Sequence, residues 1–261
     1  MIKRLSIVLS VLTLVGCGGK PSTQNDEGQI ELAKLTPKKR TQVRHSLIDT
    51  LISNKAYDSA VPLINQALRE APKDARLHMY RATVLRARGR LEQARAVYET
   101  SLKFEPKLAQ AHAGLGIVLN MLGQHESATE AHQRATMIAK GYGPWLNNLG
   151  FSLYLEKKYD KAIAAYEAAI QADSRSPMTF VNLGFAFAAK DQIEKAKRAF
   201  TQVLSEAETL NNLALAKELK GDADAARQLY EQALMTDPKN TEAASNLDSL
   251  NTDSVTSKES K

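Results

Sequence analysis

Between Trp145 and Ile170 the chain reads WLNNLGFSLYLEKKYDKAIAAYEAAI, and its apolar residues fall into two stripes. Leu146, Leu149, Gly150 and Leu153 stand at i, i+3, i+4 and i+7, one face of a helix with a glycine where a neighbouring helix can approach closely. Ala162, Tyr166 and Ala169 form the matching stripe of a second helix. The polar run Lys157 to Asp160 interrupts the pattern, and Asp160 is placed to cap the second helix. The spacing therefore predicts a helical hairpin. One hairpin cannot bury a core alone, so it must stack on others.

The others are present. The pattern returns with a period of 34 residues, starting at Thr41, Ala75, Ala109, Gly143 and Pro177. A small residue of the second helix recurs as Ala60, Ala94, Ala128, Ala162, Ala196 and Ala226, and four residues on stand Ile64, Tyr98, His132, Tyr166, Phe200 and Tyr230. Pro72, Pro106 and Pro238 end three units, and Gly89, Gly123 and Gly221 sit in three turns within hairpins. From Leu183 to Leu213 the interval shortens to 30 residues, so the fifth unit has lost about one turn of its second helix and link. The expected units are 41–74, 75–108, 109–142, 143–176, 177–206 and 207–240, followed by a capping helix over 241–250. The tail 251–261, rich in Ser, Thr and Lys, is expected to be disordered.

The order of a large residue, Leu-Gly and Tyr, then Ala, Phe or Tyr, Ala and Pro resembles the tetratricopeptide repeat family across roughly residues 41–240. That resemblance implies an all-α fold, an α–α superhelix or solenoid of six helix-turn-helix repeats with a C-terminal capping helix. Two departures stand out. Leu146 fills the family's tryptophan position, with Trp145 one residue before it, and Arg81 replaces an expected leucine, loosening that repeat or sending the guanidinium to solvent.

Ahead of the repeats, Lys3 and Arg4 precede an apolar run from Leu5 to Gly16, which reads as a secretory signal over residues 1–16 too short to span a bilayer. Leu14-Val15-Gly16-Cys17 resembles the bacterial lipobox, and Cys17 is the single cysteine of the chain. The resemblance implies a lipoprotein whose mature N-terminus is Cys17 bearing diacylglycerol and a further acyl chain such as palmitate. Gly18 follows the lipidated residue where enteric lipoproteins retained at the inner membrane carry Asp, so this resemblance favours the outer membrane, with the folded part facing the periplasm. Residues 17–40 then form a tether, flexible in its polar part, in which GQIELAKLTP at 28–37 is amphipathic enough to pack as a short segment on the first repeat.

Composition changes little. The 261 residues are 43% hydrophobic and 25% charged, ordinary for a folded protein. The formal charge of +6 falls to +4 once Lys3 and Arg4 are set aside, too mild to imply nucleic acid. A search for chemistry finds no catalytic constellation: Thr129 stands where a His125-Glu126 zinc motif would need its second histidine, and there is no nucleophile elbow. No cofactor, metal site or catalytic residue is expected, and an enzyme is disfavoured.

In solenoids of this family, function belongs to the concave face lined by the first helices. The positions the resemblance assigns to that face hold Ile117 and Met121 in the third unit, Asn147, Phe151, Tyr154 and Leu155 in the fourth, and Val181 and Phe185 in the fifth. Two readings of this stripe stay open: core buried by neighbouring repeats, or a groove for an amphipathic helix or extended hydrophobic segment of a protein partner. The family's carboxylate clamp is not reproduced, since His45 and Asp49, or Met79 and Thr83, stand where Lys and Asn are needed. Leu14 to Cys17, LNNLG at 146–150 and SEAETLNNL at 205–213 resemble the tetratricopeptide lipoproteins of Tad/Flp pilus assembly and the pilotins of type IV pili. This implies an outer-membrane adaptor whose partner is a secretin or pilus-assembly component. An adaptor for peptidoglycan hydrolases or proteases is the alternative, and an envelope enzyme the remote one.

Overall fold

Helical hairpins follow one another along the whole described chain. The computed structural model describes residues 36–172 and 176–259, and among these the secondary structure is thirteen helices. They divide at Ala111 and His112 into two compact units. The first contains α1 (Pro37–Ser53), α2 (Tyr57–Glu70), α3 (Ala75–Ala87) and α4 (Leu91–Phe104). The chain crosses into the second within α5 (Ala109–Met121) and continues through α6 (His125–Ile138), α7 (Gly143–Leu155), α8 (Tyr159–Ala172), α9 (Pro177–Ala189), α10 (Ile193–Phe200), α11 (Glu206–Leu219), α12 (Ala223–Thr236) and α13 (Thr241–Glu259).

Local chemistry fixes the helix starts. Thr36 accepts from Lys39 N–H with Pro37 opening α1, Asp74 accepts from Arg76 and Leu77 N–H at α3, and Asp222 accepts from Ala225 N–H at α12. Ser205 and Glu208 form a reciprocal capping box at α11. Asp160 does not cap α8 as its spacing suggested. It lies inside the first turn, where its carboxylate pairs with Lys190 of the next hairpin and its charge favours the helix N-terminus.

Each hairpin turns through one residue with positive φ: Lys55, Gly89, Gly123, Lys157, Asp191 and Gly221, all between 58° and 80°. Three glycines were legible as turn residues. The other three turns carry side chains in a conformation that costs an L-residue about 1 kcal/mol or more.

Each second helix buries an alanine and, one turn on, a large residue. Ala60, Ala94, Ala128, Ala162, Ala196 and Ala226 are all fully buried, as are Ile64, Tyr98, His132, Tyr166, Phe200 and Tyr230. The large side chains lie on the first helix of the hairpin: a Cβ added to Gly150 would stand 2.7 Å from the Tyr166 ring, and one added to Gly184 would stand 2.4 Å from the Phe200 ring. Within each unit, first helices also touch first helices of the next hairpin, α1 with α3, α7 with α9, and α9 with α11. Amide pairs mark this stacking. Asn182 Nδ2 donates to Asn147 Oδ1 at 3.0 Å and Asn246 Nδ2 to Asn211 Oδ1 at 3.1 Å.

Two expectations at the C-terminal side resolve differently. The fifth hairpin is short as its spacing implied: α10 has 8 residues where other second helices have 14. The tail, by contrast, is not disordered from residue 251. Helix α13 runs to Glu259 because no glycine or proline follows Leu250 to stop it, while Leu250 and Leu247 pack into the core around Tyr230. Arg81 lies exposed on α3, so the substituted position is resolved by pointing to solvent.

Gly184→Ala is expected to lose about 1–3 kcal/mol by overpacking against Phe200. Lys157→Gly should gain about 0.5–1 kcal/mol by relieving the positive φ. Urea unfolding of the two variants beside the parent chain checks both signs.

Candidate partner-binding groove

The second unit holds a cavity of about 530 Å³, open to solvent, between the first helices of the third and fourth hairpins. Its apolar walls are Ile117 and Met121 from α5 and Phe151 and Leu155 from α7. These four are half of the residues nominated from sequence. Their spacing on each helix is four residues, so both pairs present one face, and the two faces meet. Met121 is 54% exposed and Phe151 41% exposed, together at one cavity.

The other four are placed differently. Asn147 has its carbonyl oxygen engaged by Asn182, and Tyr154 lies half-buried with its ring 5.5 Å from that of Tyr159. Val181 and Phe185 are partly buried against the core around Phe200, the two phenyl rings meeting edge to face at 5.3 Å. The stripe thus divides: its α5 and α7 part frames a cavity, and its α9 part packs inward. Cys17 lies outside the described residues.

Sequence reasoning missed the polar part of this site. Asn120, His125, His132 and Asn148 also line the cavity. Asn120 donates to Ser152 Oγ at 2.7 Å and its carbonyl oxygen lies 3.2 Å from His125 Nδ1, so a hydrogen-bonded rim joins α5, α6 and α7. His132 is the unusual member. It is fully buried on Gly116, and neither ring nitrogen has a hydrogen-bond partner in the protein. Burial pushes its pKa down to about 4, which keeps the imidazole neutral at physiological pH. The signal in sequence was a histidine in a column of Ile, Tyr and Phe.

The first unit has a cavity of similar size, about 540 Å³, but of another character, lined by His45, Lys73, Asp74, Arg76 and Glu105 among others. Its central carboxylate is already used. Burial disfavours the charged form of Asp74, yet the bonds from His45 and from the backbone N–H groups of α3 outweigh this and lower its pKa. The pair at 3.0 Å joins α1 to the cap of α3, a structural role.

Among the described residues no group of three or more His, Cys, Asp or Glu is assembled to hold a metal, and no helix is long and apolar enough to cross a membrane.

Tandem antiparallel hairpins, a buried alanine one turn before each large second-helix residue and a groove on the first helices define a helical-repeat scaffold. Four family models of the tetratricopeptide repeat match the chain, over residues 51–115, 88–144, 147–191 and 207–240. The chain belongs to the tetratricopeptide-repeat family. No curated protein sequence matches it. Among solved structures it is similar to PilW, described as a widely conserved type IV pilus biogenesis factor, with 17% identity, TM-score 0.65, and coverage of 79% of this chain and 97% of that one. It is similar to Pseudomonas aeruginosa pilF at 17% identity and TM-score 0.61, covering 78% and 95%. It also resembles YrrB, described as having an unusual peptide-binding site, at 20% identity and TM-score 0.55, covering 70% and 96%. At these identities the likeness is one of fold.

The unfolded chain protonates His132 near pH 6.5, the folded chain at about 4. Its contribution to stability is therefore complete above about pH 6.5 and is lost as pH falls toward 4, amounting to about 2 kcal/mol at pH 5. His132→Tyr should abolish this loss. Denaturant unfolding of both chains at pH 7 and pH 5 reads the difference.

Proposed function

We propose that this chain is a protein-binding adaptor of the bacterial envelope, lipid-anchored at Cys17 in the outer membrane and facing the periplasm, which assists pilus or secretin assembly. The observation that carries the binding role is the exposed apolar pair Met121 and Phe151 at the mouth of a formed cavity. Large apolar groups left at a cavity mouth are stabilised when a partner covers them. The cavity is formed in the chain by itself, between closely packed hairpins, which lowers the ordering cost of binding a segment there.

The more specific part rests on two supports. The lipobox-like Leu14 to Cys17 supports an anchor, since buried acyl chains contribute about 0.8 kcal/mol per CH2. Likeness of fold to PilW over most of both chains supports a pilus setting. In this reading the acyl chains fix the protein at the membrane, the residues between Cys17 and α1 span the gap, and the groove of α5 and α7 takes a segment of the secretin or pilus machine.

A photocrosslinking phenylalanine at Phe151 is expected to capture an envelope protein of the secretin or pilus machinery in living cells. Recovery of no envelope protein, together with normal secretin assembly after deletion, would overturn the proposal. Cys17→Ser should move the protein from the membrane to the soluble periplasmic fraction. Persistent membrane attachment would refute the anchor.

A further inference from the structure

Charge is divided unevenly between the two units. Residues 36–111 carry 15 Lys and Arg against 7 Asp and Glu, whereas residues 112–261 carry 16 against 19. The excess gathers at one edge of the first unit, where α1 and α3 begin and α2 and α4 end. Arg44 of α1 bonds Glu70 at the end of α2, His45 bonds Asp74 at the start of α3, and His78 of α3 sets its ring 5.3 Å from that of Phe104 at the end of α4. Lys38, Lys39, Arg69, Lys73, Arg76 and Lys103 stand exposed at this edge, and among the described residues none of the six has a carboxylate partner. Glu70 and Asp74 are already engaged, which leaves Glu105 to oppose them. Lys73, Arg76, Glu105 and the exposed Phe104 rim the open hollow of about 540 Å³.

Resting on the anchor proposed at Cys17, and separate from the groove of α5 and α7, we propose that this edge of the first unit lies against anionic phospholipid headgroups. Lys73 and Arg76 hold a headgroup phosphate at the hollow, and Phe104 enters the interfacial layer. Three features select a lipid surface. Cations without partners are stabilised by an anionic surface and break no ion pair to meet it. Most of the six are lysines, point charges on flexible stems that can follow a fluid layer of phosphates, whereas a fixed carboxylate favours the planar fork of arginine. Finally, α1 opens this edge and is the helix that the chain from Cys17 enters: eighteen residues separate Cys17 from Thr36, a reach of at most about 65 Å. An acyl anchor therefore holds the edge at high local concentration over the bilayer. Acyl chains alone fix the protein to the membrane without fixing its orientation. The charged edge does the second by laying the first unit down.

The test is sedimentation of the full chain carrying Cys17→Ser, which bears no acyl group, with vesicles of phosphatidylglycerol or of phosphatidylcholine. The expected result is binding to phosphatidylglycerol at least about tenfold tighter than to phosphatidylcholine in about 50 mM salt, lost by about 500 mM. Lys73→Gln with Arg76→Gln should weaken it roughly tenfold or more, while the chain stays folded by circular dichroism because both side chains are exposed. Lys161→Gln with Lys197→Gln removes the same charge from exposed positions of the second unit and should leave binding within about twofold. Equal binding to the two vesicles, or equal loss from the two pairs of substitutions, would overturn the proposal. Binding to polyglutamate without binding to phosphatidylglycerol would assign the edge to an acidic protein and overturn it as well. The anchor is tested apart from this: attachment through acyl chains survives a wash of cell membranes in about 1 M salt, and attachment through the charged edge does not.

Discussion

A small side chain on one helix and a large one on the next decide how closely the two helices of each hairpin approach. Gly150 beneath Tyr166 and Gly184 beneath Phe200 leave no space for a methyl group, while Ala82 and Ala214 hold the corresponding places in the hairpins of Tyr98 and Tyr230. In the first hairpin the same place is taken by Ile48, and the facing residue is the shorter Ile64. Glycine or alanine thus stands under a ring in five hairpins, and isoleucine meets isoleucine in the first. With the hairpin spacing set this way, side chains on the opposite face of the first helix are free to do other things, and the cavity of α5 and α7 is built there.

That division of labour explains which features were legible in sequence. Burial on a helix has a period, so Ala60 to Ala226 and the large residues four positions later share one register, and the helices follow from it. Backbone conformation has no such redundancy. Gly89, Gly123 and Gly221 announce positive φ, but Lys55, Lys157 and Asp191 take it because the hairpin geometry imposes it, and nothing in those residue types signals it. Helix α13 was cut short for a related reason: Ser, Thr and Lys read as a disordered tail, while the packing of Leu247 and Leu250 carries the helix onward.

The site was half legible. Register alone placed Ile117, Met121, Phe151 and Leu155 on the groove side of their helices. Register could not tell which groove positions a neighbour would cover, and Val181 and Phe185 are covered because α10 brings Phe200 against them. The aromatic column supplies the core, so His132 in that column read as core as well. Only the three-dimensional arrangement shows that its ring lies fully buried beneath the cavity with neither nitrogen hydrogen-bonded within the protein.

An unpaired buried imidazole is costly, on the order of 1–3 kcal/mol for each polar group left without a partner. Tyrosines elsewhere in the column bond their hydroxyls, Tyr98 with Thr83 and Tyr230 with Glu218. Stability alone therefore does not account for histidine here. Its effect is to trade a closed, self-satisfied contact for an opening beside Phe151 and Met121, on the face where apolar groups are already exposed. The cost falls at one hairpin and is confined to one side chain, while Tyr166 on Gly150 and Phe200 on Gly184 keep the two hairpins that follow closely packed.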